Sequence, residues 1–98
     1  MDEKTKRLME LEDVRQVMQT VPGRRLLWRF MNAFGMWKSA FDPLPGLNLK
    51  PKDLALVRGA RQDLAHFISR EIDASCPELY DTMSKEAREM KALEGRNS

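Results

Sequence analysis

The sequence predicts an all-α protein: a compact small helical domain of about four helices, with one long apolar loop between helices 2 and 3. Three observations carry that expectation. Apolar residues recur at spacings of three and four along most of the chain, the period of helices with one buried face. Residues that start or stop helices separate these runs: Thr20 with Pro22, then Gly35, then Ser75 with Pro77. No stretch reads as a strand, an internal repeat or a low-complexity block.

Residues 1–10 form a charged segment expected to be partly frayed, residues 11–92 a single helical domain, and residues 93–98 a frayed tail. Leu8, Leu11, Val14, Met18 and Val21 give the first amphipathic helix, with Asp13 placed to restart it. The stretch Thr20–Gly35 is the centre of the chain. Thr20 caps by accepting a backbone N–H, Pro22 fits the first turn and Gly35 supplies a left-handed stop. Leu26, Leu27, Phe30, Met31 and Phe34 fall within roughly 140° of one another at about 100° per residue. Arg25, Arg29 and Asn32 fall opposite.

From Met36 to Lys52, four prolines or glycines (Pro43, Pro45, Gly46, Pro51) exclude a long helix or strand. Met36, Trp37, Phe41, Leu44, Leu47 and Leu49 are apolar, unlike a solvated linker. Either this loop packs onto the helices or part of it is exposed for a partner. The third helix is expected over Asp53–Ala74, with Leu54, Val57, Ala60, Leu64, Phe67, Ile68 and Ile72 as its core stripe. Arg61 lies close to that stripe and needs a carboxylate or carbonyl partner, or a route to solvent along its stem. Gly59 sits in mid-helix at a penalty of about 1 kcal/mol against alanine, which close approach of another backbone would explain. Ser75-Cys76-Pro77-Glu78 has the S-x-x-E form of a capping box. It opens a last helix with Leu79, Met83, Ala87 and Met90 on one side, bordered by Tyr80 and Glu86.

A chain of 98 residues with a formal charge of +2 builds one core and carries mixed charges, the pattern of a solvated surface rather than a DNA-coating protein. Cys76 and His66 are each the single residue of their type. That excludes an internal disulfide, Cys-based metal clusters and paired-His zinc sites, so no metal and no cofactor are expected. Cys76, just before a helix start, reads as a structural thiol. No acid–base or nucleophile constellation can be named, and the expectation is a protein that is not an enzyme. No run reaches the roughly 18–20 apolar residues of a membrane span, and MDEKTKR is followed by no signal-peptide core. A soluble protein made in the cytoplasm is expected.

Two candidate surfaces remain. One is a partner-binding set of Trp37, Phe41, Leu44, Leu47 and Gly59. The other is a basic, aromatic surface of Arg24, Arg25 and Arg29 beside Trp28, suited to phosphate or an acidic partner. Its structural alternative has Arg24 packed over Trp28 and the other arginines paired with carboxylates of the first or last helix.

Several segments fit together as one pattern: Asp13-Val-Arg-Gln-Val-Met, Pro22-Gly-Arg-Arg-Leu-Leu-Trp-Arg, the Gly35 stop, Ser39-Ala-Phe41, Gly59-Ala-Arg61 and Pro77-Glu-Leu-Tyr80. Their order, over about residues 11–90, resembles a family of small proteins of tailed bacteriophages, mostly podophages, encoded in the virion-gene cluster near the portal and head genes. Members of that family often carry two adjacent arginines after the third-helix glycine, where this chain has Ala60 before Arg61. The resemblance implies a helical, non-enzymatic phage protein associated with the particle or its assembly. Its partners would be other virion or assembly proteins, with self-association a further option. The motif residues are Gly23, Arg24, Trp28, Phe41, Gly59, Arg61 and Tyr80, of which Gly23, Trp28, Arg61 and Tyr80 read as structural. A nucleic-acid-binding protein using the arginine surface and an inhibitor of a host enzyme are the alternatives. Host cytoplasm during synthesis, and then the virion, is the implied location.

Overall fold

The computed structural model of the chain describes residues 1–39, 42–44 and 46–97. It is a small all-α domain of four helices, α1 (Glu3–Met18), α2 (Val21–Ala33), α3 (Pro51–Ser75) and α4 (Pro77–Asn97), with no strand among the described residues. Residues 3–10, read above as a charged lead-in, are helical and exposed throughout. Asp2 starts that helix by accepting the Thr5 N–H at 2.7 Å.

The corner between α1 and α2 follows from local chemistry. Thr20 Oγ1 accepts the Gly23 N–H at 3.0 Å and donates to the Val17 carbonyl at 3.1 Å. A Cβ at Gly23 would collide with that same carbonyl, so only glycine lets the two helices meet this closely. At the other end of α2, Gly35 takes φ +72°. Its N–H bonds the Asn32 carbonyl at 3.0 Å and the Met36 N–H bonds the Met31 carbonyl at 3.1 Å. This is a Schellman stop, completed by Met36 packing on the core that holds Met31.

The core lies where the helices meet. Met18, Met31, Ala65, Ile72, Cys76 and Met83 are buried, and Val14, Leu27, Trp28, Phe34, Met36, Ile68, Leu79 and Tyr80 pack against them. Methionines fill much of it, as unbranched side chains can where helices cross at irregular gaps. The layer is thin: the principal extents are 46 × 40 × 17 Å. The radius of gyration is 16.1 Å, against about 13 Å for a closely packed chain of this length.

Two expectations about packing are corrected. The inward face of α3 is only in part the expected stripe from Leu54 to Ile72: Ile72 is in the core and Ile68 packs against it as expected. Leu64 and Phe67 stand 50% and 56% exposed and Ala60 is exposed, whereas Arg58, Ala65 and Ile72 are buried. The reason lies in the turn that follows α2, whose carbonyls stand outside any helix. Gln62 Nε2 donates to the Gly35 carbonyl at 2.9 Å and the Lys38 carbonyl at 2.6 Å. Arg58 Nη2 donates to the carbonyls of Asp42 and Pro43 at 2.9 and 2.8 Å. Turning those donors inward turns Leu64 and Phe67 outward. The buried charge of α3 is therefore Arg58, one turn before Arg61, which is half-exposed. Likewise Leu26, expected on the apolar face of α2, is exposed.

The second correction concerns Ser75-x-x-Glu78. Ser75 is the last residue of α3, and its hydroxyl donates to the Leu11 carbonyl of α1. Glu78 accepts from Arg15 Nη1 at 3.2 Å, and Arg15 Nη2 reaches the Ser75 carbonyl at 2.7 Å. The motif joins α1 to the break at Cys76 instead of forming a reciprocal cap. The helix start at Pro77 stands as expected.

Candidate functional site

The arginine surface of α2 lies along a groove shared with α4. Val21, Arg25, Trp28, Arg29 and Asn32 line it from α2, and Met83, Ala87, Met90, Leu93 and Glu94 from α4. The space is about 900 Å³. Its deeper residues are Met83, Trp28 and Ala87 together with Arg24 and Glu86, while Arg25, Arg29, Glu89, Met90, Lys91, Leu93 and Glu94 are exposed along its sides. The result is an apolar base crossed by one Arg–Glu pair, between charged walls.

Two interactions set that geometry. Arg24, one turn into α2, bridges to Glu86 through Nε and Nη2 and donates from Nη1 to the Met18 carbonyl at 2.8 Å. The Arg24 hydrogen bond holds the Glu86 carboxyl below its ordinary range, with the Arg24 and Arg25 charges acting in the same direction against partial desolvation. The same contact raises Arg24 above its ordinary value. Trp28 carries Trp37 against it, with ring centroids 4.7 Å apart and planes inclined by 36°, in the range of favourable aromatic contact.

The expected site residues therefore separate. Arg25 and Arg29 are exposed on the groove, but Arg24 is engaged by Glu86 of the last helix, a pairing that the structural alternative gave to the other arginines and not to Arg24. Trp37 is half-exposed and joins the groove through Trp28. Leu47 is exposed, and Leu44, at 3% exposure, belongs to the interior and offers nothing to a partner. The expectation for Phe41 lies outside the described residues. At Gly59 an added Cβ would meet nothing within 4 Å, so no described residue of the chain makes the close backbone approach expected there. Gly23 serves the α1–α2 corner, Tyr80 packs on the core and Arg61 is half-exposed.

Sequence reasoning missed Arg58 and Gln62, and it missed the exposure of Leu56, Leu64 and Phe67. One signal for Arg58 was present: Arg58, Ala65 and Ile72 are seven residues apart, on one line of the helix. Among the described residues no group of His, Cys, Asp or Glu is placed to hold a metal ion, and no helix is long and apolar enough to cross a membrane.

Fold and groove together define a small helical domain with a groove between α2 and α4. No family model, curated protein or solved structure matches the chain.

Proposed function

We propose that this chain is a small non-enzymatic interaction protein that holds an amphipathic helix of a partner protein in the α2–α4 groove. The observation that carries the proposal is the groove itself, with Trp28, Met83 and Ala87 at its base, Arg25 and Arg29 on the α2 wall, and Glu89 and Glu94 with Lys91 between them on the α4 wall. Helix-in-groove recognition needs this combination: apolar anchors every three or four residues for the floor, and flanking charges that fix the orientation. The bound helix would turn carboxylates toward α2 and basic residues toward α4.

The sequence resemblance to podophage virion-cluster proteins supplies the setting, a virion or an assembly intermediate, with another particle protein as the partner. The nucleic-acid alternative loses support because Glu86 occupies Arg24, and because Glu89 and Glu94 stand across the groove from Arg25 and Arg29, where a phosphate backbone requires one sign. Mass spectrometry of purified virions and procapsids tests the setting: the chain is expected in one of them, and absence from both overturns it. Met90→Glu with Leu93→Glu is expected to abolish co-purification with the partner while leaving the helical spectrum intact, since both side chains are exposed.

A further inference from the structure

A second surface, across α1, α2 and α3, is of a different kind. Val14, Val17, Leu27, Phe67, Ile68 and Ile72 line an apolar hollow of about 230 Å³. Asp13 and Glu71 stand at its rim, and Glu71 is neutralised by Arg7 of the same chain, Nη1 to Oε2 at 2.9 Å. Phe67 borders the hollow yet is 56% exposed. Leu64, one helical turn away on the same face, is also half-exposed. Leu26 and Phe30 continue the apolar surface from Leu27 along α2, at exposed and half-exposed positions.

We infer that this face docks a second copy of the chain, forming a two-fold dimer in which Phe67 of each copy enters the hollow of the other. Three observations select that occupant. The first is area. The chain exposes 7232 Å², whereas a self-contained monomer of its mass exposes about 5,800 Å². Part of the surplus of roughly 1,400 Å² lies on the exposed ends of α1 and α4, yet the whole is well above the about 800 Å² per partner of a stable interface. The second is shape. Phe67 is an exposed ring on the wall of an apolar hollow, so a single two-fold axis can set each copy's ring against the other's hollow and satisfy both at once. The third is composition. The centre of the patch is apolar and, of its two rim carboxylates Asp13 and Glu71, Glu71 is already paired with Arg7, as suits a homodimer interface. The α2–α4 groove, with charge on both walls, is suited to an exchangeable partner. The dimer is independent of the function proposed for that groove.

Light scattering on the purified full-length chain, coupled to size exclusion over a range of concentrations, tests the inference. A mass of twice 11.4 kDa is expected for the native sequence. Phe67→Glu is expected to raise the dimer dissociation constant by about 30-fold or more, as loss of an anchoring aromatic does. Leu64→Glu is the second variant, should Phe67→Glu fail to give a helical spectrum. Leu64→Cys is expected to cross-link between copies on oxidation, since Cys76 is buried and does not compete. Met90→Glu in the groove should leave the mass unchanged, which separates failure of one surface from failure of the other. A monomer at every concentration, or a dimer that survives both Phe67→Glu and Leu64→Glu, overturns the inference.

Discussion

The two faces of α3 are used the opposite way from what their side chains suggest. The inward face carries a guanidinium, an amide and an alanine at Arg58, Gln62 and Ala65, with Ile72 its one large buried aliphatic side chain. The outer face carries Leu56, Leu64 and Phe67, all at least half-exposed. The difference shows which demand decided the rotation of the helix. Hydrophobic burial is non-directional and can be met on any side where a neighbour arrives. The carbonyls of the segment after α2 need donors at particular positions, and Arg58 and Gln62 are the residues of α3 that reach them. Directional bonding fixed the inward face, and the apolar side chains left outside are free for association.

The most disruptive test is Arg58→Ala. It removes both donated bonds and leaves the Asp42 and Pro43 carbonyls to water, so a loss of about 2–4 kcal/mol is expected in urea unfolding. A change of less than about 0.5 kcal/mol would show that hydrogen bonding does not hold the rotation of α3. Gly35→Ala comes next. Its φ of +72° disfavours a side chain, and the new Cβ would stand 2.7 Å from Arg58 Nη1. A loss of about 2 kcal/mol is expected, of which about 1 kcal/mol belongs to the left-handed backbone. In the Arg58→Ala background only that backbone part should remain, so a double-mutant cycle should show coupling of about 1 kcal/mol. Additive losses would mean that the guanidinium and the turn do not meet.

How far the sequence could be read follows from the range of each interaction. The α1–α2 corner and the Gly35 stop were legible because Thr20, Pro22, Gly23 and Gly35 act on backbone within a few residues of themselves. The helices were legible from their periodicity. The rotation of α3 was not, because its apolar residues spread over two adjoining faces and the choice between them depends on carbonyls 15 to 27 residues away. The buried arginine was not legible: the arginine marked beside the apolar stripe was Arg61, with a carboxylate, a carbonyl or solvent as its options, and it is half-exposed, whereas Arg58 is the one buried. At the groove, the arginines of α2 could be recognised as a surface. The carboxylate that takes Arg24 out of it lies 62 residues further on, beyond any local pattern.

Smaller effects sharpen the contrast. Gly59 is helical and has open space around it, so Gly59→Ala should raise stability by about 0.5–1 kcal/mol through helix propensity alone. A loss there would place another backbone against it in the native assembly.

Glu86→Gln distinguishes the two buried-arginine ties by their response to pH. Arg58 is held by carbonyl oxygens, which do not titrate over the usual range; Arg24 is held by a carboxylate that does. The Arg24–Glu86 pair is partly exposed, with side-chain exposures of 11% and 28%, so its loss at neutral pH should amount to only about 0.5 kcal/mol. Because folding lowers the Glu86 value, its contribution is complete above the unfolded carboxylate value and disappears as pH falls through the folded one. The stability difference between native chain and Glu86→Gln should therefore be constant near neutrality and close to zero in strong acid. The difference made by Arg58→Ala should persist over the same span for as long as the chain stays folded. If both differences faded together on acidification, the carbonyl tie would owe its strength to a carboxylate nearby, and the contrast between the two ties would fail.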